Sequence, residues 1–125
     1  MTQPPRDREH RFSPEERLRT DREFVEVVRK GERIGTVHFT VYRDAFGGER
    51  RQIGVSAGKR AGKSVVRNRM KRLLREFYRL NKNAFPCGTR TAIVVRKAPE
   101  NPELKTVCAE LLPALLKRWG GWDKA

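Results

Sequence analysis

The sequence predicts an α+β fold: a single domain in which helices sandwich a small sheet. Three stretches carry that reading. Lys63 to Lys82 has the period of a long amphipathic helix, Val37 to Tyr42 alternates like a half-buried strand, and Thr91 to Val95 is an unbroken apolar run suited to a central strand. A chain of 125 residues can bury about two-thirds of its unfolded surface, enough for one core.

The elements follow in order. Met1 to Arg11 is polar and contains Pro4-Pro5, so residues 1–12 are expected to form a disordered basic arm ahead of one folded domain, residues 13–125. Ser13-Pro14-Glu15-Glu16 offers one capping box and Thr20-Asp21-Arg22-Glu23 a second. The second is the better main start, giving a first helix from about Asp21 to Lys30 with Phe24, Val27 and Val28 on its apolar side and Gly31 as its stop. In the strand that follows, Val37, Phe39 and Val41 share one face, and His38, Thr40 and Tyr42 share the other. Ala45 to Gly48 reads as a turn. Gln52 to Ser56 is then the next strand, expected to pair antiparallel with the first by hairpin logic.

A Gly-containing loop over residues 57–62 leads into the long helix. At 100° per residue, Val66, Met70, Leu73, Phe77 and Leu80 fall on one stripe and predict its buried side. Arg67, Asn68, Lys71, Arg72, Arg75 and Arg79 fall on the opposite arc, and Glu76 is the sole acid in the stretch. Ordinary surface helices alternate signs and gain i,i+4 pairs, whereas stacked like charges cost stability in the isolated chain. Such a helix is roughly 30 Å long at about 1.5 Å per residue, enough to track several phosphates. Beyond the strand at Thr91 to Val95, Asn101 and Pro102 predict the start of a last helix running to Trp119, with Leu104, Cys108, Leu111, Leu115 and Trp119 inward, a kink at Pro113, and Gly120-Gly121 as its end.

Charge narrows the function. Lys plus Arg number 29 against 15 Asp plus Glu, a net charge of +14, which points to a polyanionic partner. No apolar run is long enough to span a membrane and no secretory leader pattern opens the chain, so a soluble cytoplasmic protein is expected. Cys87 and Cys108 form no CxxC and have no His/Cys cluster beside them, which argues against zinc. Cys108, in an apolar helix pattern, is expected to be a buried thiol, and Cys87 in its turn a partly exposed one. His10 and His38 show no evident partners, and no nucleophile–base set or paired carboxylates suggest catalytic side chains. Ala57 to Ser64 imitates a P-loop, but the first position is Ala57 rather than Gly, and the apolar strand ends in Arg96-Lys97 instead of an acid for Mg²⁺. Its Gly-rich turn, Lys59, Arg60 and Lys63 at a helix N-terminus suit an RNA phosphate better.

Ile53 to Arg79, IGVSAGKRAGKSVVRNRMKRLLREFYR, resembles the protein subunit of bacterial ribonuclease P, with Arg67-Asn68-Arg69 as the family's signature. Arg17-Leu18, Glu23-Phe24, Gly31, Phe39 to Tyr42 and Arg96-Lys97 extend the resemblance over most of residues 17–117. It implies an α-β-β-β-α-β-α order around a small mixed sheet, with a left-handed β-α-β crossover against the usual rule. It also implies binding to the catalytic RNA and to the 5′ leader of precursor tRNA, the RNA itself performing cleavage with Mg²⁺ that it mainly holds. No catalytic side chain, metal ligand or obligate protein partner is implied for this chain. The residues implied to meet the RNA are Lys59, Arg60, Lys63, Arg67, Asn68, Arg69, Lys71, Arg72 and Arg75. Phe24, Val28, Thr40 and Tyr42 would form the leader cleft between the first helix and the sheet, where aromatic faces suit unstacked bases. Core packing is the competing role for Phe24. Three positions depart from the family: Val28 replaces a common aromatic, Gly58 replaces a hydroxyl residue before Lys59, and Pro113 interrupts the last helix.

Two other readings compete. A structural RNA-binding protein of the ribosomal type fits the charge but needs no leader cleft. A DNA-binding protein laying residues 63–82 in a major groove also fits the basic helix, with Asn68 and the arginines as base readers.

Overall fold

The computed structural model describes residues 14–119 apart from 19, 46 and 49. The arm at 1–12, the Ser13 cap and the Gly120-Gly121 stop lie outside the described residues. Helix α1 spans Asp21–Lys30, and its Thr20 cap accepts from the Glu23 N–H while Glu23 reaches back to the Thr20 N–H. Four strands follow the order β1 (Glu32–Gly35), β2 (Phe39–Ala45), β3 (Gln52–Ala57) and, after helix α2 (Ser64–Leu80), β4 (Thr89–Val95). Helix α3 (Leu104–Trp119) closes the chain and runs through Pro113. It starts two residues later than Asn101-Pro102 suggested, and the Glu103 carbonyl just before it accepts from the Val107 N–H.

The sheet order is β1-β2-β4-β3. The hairpin expectation for β2 and β3 is therefore corrected: β4 lies between them, antiparallel to β2 and parallel to β3. Local turn logic pairs neighbours in sequence, but here the apolar β4 takes the centre, where both of its edges can be bonded. β1, made of Glu32, Arg33, Ile34 and Gly35, is an exposed polar edge that no apolar alternation announces. Val37 is also corrected. It precedes β2 and is 77% exposed, while Phe39 and Val41 are fully buried.

Each face of the sheet has its own cover. Rows Phe39/Val95/Ala57 and Val41/Ile93/Val55 face the main core, which α2 and α3 close with Met70, Leu74, Phe77, Tyr78, Val107, Leu111 and Leu115. The buried side of α2 is thus rotated from the predicted stripe. Leu80 is exposed and Leu73 only partly buried, because α2 packs into the angle between sheet and α3, which favours Leu74 and Tyr78. Cys108 is likewise only partly buried, and Cys87 is exposed. Arg43, in the same inward row as Thr91, is buried beneath Trp119, 4.3 Å from its ring, and donates to Thr91 Oγ1 and the Ala84 carbonyl. Burial pushes its guanidinium down to about 10, against the opposing pull of Glu32.

Candidate nucleic-acid interface

The second sheet face carries the candidate site. Tyr42, Ala92 and Gly54 form one row across it, and Thr40, Val94 and Ser56 the next. α1 packs over β2 and β4 on this side, with Val27 fully buried beneath it. An ion pair fixes the helix there: buried Arg90 of β4 donates to Asp44 Oδ2 at 2.8 Å and to Glu26 Oε1 of α1 at 3.2 Å. Burial pushes that guanidinium down, but the two carboxylates more than offset it and raise it overall. The small residues Gly54 and Ser56 leave the sheet low beside α1. A cavity of about 330 Å³ opens over them, walled by Phe24 and Leu18 on one side and by Lys71 and Arg75 of α2 on the other.

Of the four predicted cleft residues, the structure brings Phe24 to this cavity. Tyr42 and Thr40 sit on the same sheet face two strands away, about 10 Å off at ordinary strand spacing. Tyr42 and Val28 are half-buried; Thr40 is buried. None of the three lines the cavity walled by Phe24.

The wall that Phe24 shares with Leu18 is completed by a different part of the chain. Pro14–Glu16 forms a single turn of 3-10 helix, and Arg17 then bridges to Ile53 while the Leu18 N–H donates to the Ile53 carbonyl at 3.0 Å. Glu16 holds this strap to α2, accepting from the Tyr78 hydroxyl and from Lys82 Nζ. Burial and the Glu16 carboxylate together push the Tyr78 hydroxyl well above its ordinary value. The strap carries Leu18 to the cavity, a residue that the sequence pointed to only within the family resemblance and without a role in the site.

The basic residues divide by direction. Lys59, Arg60, Lys63, Asn68 and Arg72 are exposed and make no side-chain bond among the described residues. Lys63 is the N-cap of α2 and provides no side-chain cap, so the first amides of the helix are open to an anion. Arg67 turns back to the Gly62 carbonyl at 3.1 Å. Lys71 and Arg75 face the cavity, and burial and then the like charge of Arg17 push Arg75 below its ordinary value. Arg69 stands apart on the other flank, where it donates twice to the Pro102 carbonyl. Arg79 is paired with Glu76. Val65 was not anticipated: it is 77% exposed on the cationic side. No group of three or more His, Cys, Asp or Glu side chains able to hold a metal ion occurs among the described residues, and no described helix is long and apolar enough to cross a membrane.

A one-signed helix beside a small-floored groove defines a class: a basic α+β protein shaped to meet a polyanion. The Ribonuclease P family model matches residues 12–119, and the chain belongs to that family, the protein components of an endoribonuclease ribonucleoprotein in tRNA processing. It is 41% identical over 103 residues to the ribonuclease P protein component of Desulfovibrio desulfuricans, covering 79% of each chain. With that of Syntrophobacter fumaroxidans it shares 38% identity over 111 residues, 88% of this chain and 93% of the relative. The solved ribonuclease P protein from Thermotoga maritima superposes with a TM-score of 0.69 at 27% identity, over 82% of this chain and 96% of that one. Membership implies partnership with the ribonuclease P RNA.

Proposed function

We propose that this chain binds the catalytic RNA through the β3–α2 loop and the outward face of α2, and takes the single-stranded 5′ leader of precursor tRNA into the groove between α1 and the sheet. One observation carries the reading. Lys71 and Arg75 belong both to the cationic helix and to the wall of the cavity that holds Phe24, so a strand lying against Phe24 would have its phosphates beside the helix that meets the RNA. Exposed cations with no acidic partner gain most from phosphate contacts, because they release counterions and give up no internal salt bridge. An aromatic ring beside them accepts an unstacked base of any sequence.

In this reading the RNA and the Mg²⁺ that it holds perform the hydrolysis, and the protein contributes affinity for the leader. The reaction removes the leader endonucleolytically and leaves the mature tRNA 5′ end. The test is cleavage of a precursor tRNA at low Mg²⁺ by a bacterial ribonuclease P RNA, with and without the protein, and by the protein alone. Cleavage only with RNA and protein together is the expected result. Absence of rescue with RNA binding intact would reduce the chain to an RNA-binding protein of the ribosomal type.

A further inference from the structure

We propose that Gly54 is a positioning residue for the leader. By carrying no side chain it seats the Phe24 ring against the sheet and so sets the depth of the slot that an unstacked base enters. The proposal rests on the leader-binding reading above.

Gly54 is not needed for its backbone conformation, since it is absent from the residues with positive φ. What it supplies is space. A Cβ at this position would stand 2.8 Å from Phe24 Cδ2, 3.2 Å from Phe24 Cε2 and 2.9 Å from Leu18 Cδ1. Carbon atoms at rest sit about 3.5–4.0 Å apart, so the ring would have to move by roughly 0.7 Å or more.

The backbones on either side of the ring are held to the sheet. Leu18 is tied through its own amide to Ile53, and α1 is tied to the sheet through Arg90 and Glu26. The ring therefore yields into the cavity shared with Lys71 and Arg75. A side chain at position 54 fills the slot with Phe24 itself. The cationic wall and the outward face of α2 stay as they were.

The experiment compares precursor tRNAs with long and truncated leaders, bound by the protein assembled with a bacterial ribonuclease P RNA. The proteins are wild type, G54A, F24A and the F24A/G54A double variant. Wild type is expected to prefer the long leader. G54A should lose about fivefold or more of that preference, the low end of what one base–aromatic stack contributes, with affinity for the catalytic RNA unchanged. In the F24A background the added G54A should cost no further leader preference, since the clash with the ring has gone and only the flexible end of Leu18 has to give. Full leader preference in G54A, or losses that multiply in the double variant, would overturn the proposal. If G54A does not fold, the double variant decides: a folded protein with the F24A preference supports the proposal, and an unfolded one overturns it. A wild-type assembly indifferent to leader length would instead remove the leader reading beneath it.

Discussion

His38 Nδ1 lies 2.7 Å from Glu110 Oε1 and joins the turn before β2 to the middle of α3. The other oxygen of Glu110 accepts from the Thr36 hydroxyl at 2.6 Å and from the His38 amide at 2.8 Å. Burial raises the Glu110 carboxyl, but these bonds outweigh it and hold it below the usual 4.5. A carboxyl depressed in the folded state adds stability that is present above its unfolded value and is lost as the pH falls through its folded value. Melting temperature should therefore drop below about pH 4.5, and E110Q should flatten that acid limb. E110A should cost about 1–3 kcal/mol at neutral pH, because the Thr36 hydroxyl, the His38 amide and the His38 ring all lose their partner. An acid limb equally steep in E110Q would remove Glu110 from the account.

Gly31 ends α1 as expected, in an extended conformation with φ −80 and ψ 158, so a left-handed backbone is not the reason for a glycine. A Cβ there would meet the Val27 carbonyl oxygen at 2.7 Å and the Arg43 carbonyl oxygen at 2.9 Å. Both are backbone atoms and cannot swing aside. G31A should destabilise by about 1–3 kcal/mol or more, the usual range for overpacking, as read by urea denaturation. A wild-type midpoint would show that the junction of α1 and β2 is looser than its geometry.

What the sequence made legible was local. The Thr20–Glu23 capping box, the bounds of α1 and nearly those of α2 follow from rules that reach three or four residues. What it hid was contact between distant parts. His38 and Glu110 are 72 residues apart, so neither could be assigned a partner, and His38 read as isolated. Nothing local in the sequence marks Arg43 or Arg90 as buried, yet aromatic and carboxylate partners from other elements bury both. The place of β4 between β2 and β3 depends on which strand can bond on both edges, a property of the whole sheet. In the site, the cationic helix was legible because one-signed charge is a composition signal. The strap bearing Leu18 and the space above Gly54 were not, because close approach leaves no mark on hydropathy.

Arg69 and Arg72 should separate structural from binding roles on α2. Arg72 is exposed and makes no side-chain bond among the described residues, whereas Arg69 donates to Pro102. R72A should leave stability within about 0.5 kcal/mol and weaken binding to the catalytic RNA. R69A should lower both stability and affinity, since it frees the segment leading into α3. Tyr42, on the cleft face, should behave in a third way: Y42A weakens affinity for long-leader precursor and leaves the RNA affinity alone. Identical defects in R72A and Y42A, measured by titration of each RNA, would show that the two surfaces are not distinct.

The number of phosphates engaged follows from the same surface. Lys59, Arg60, Lys63, Lys71, Arg72 and Arg75 carry no ion pair among the described residues, and the partner of Arg67 is a neutral carbonyl rather than a carboxylate. Arg79 contributes less, because Glu76 already neutralises it. If about six to eight phosphates are neutralised, log K for the catalytic RNA should fall with log salt at a slope of roughly −4 to −7, and each single cation removed should lower the slope by about one. R79A should change it by less than R72A does. Filter binding across a salt series measures the slope directly; a value near zero would mean that the cationic face of α2 is solvent-exposed in the assembled particle and that the RNA is held elsewhere.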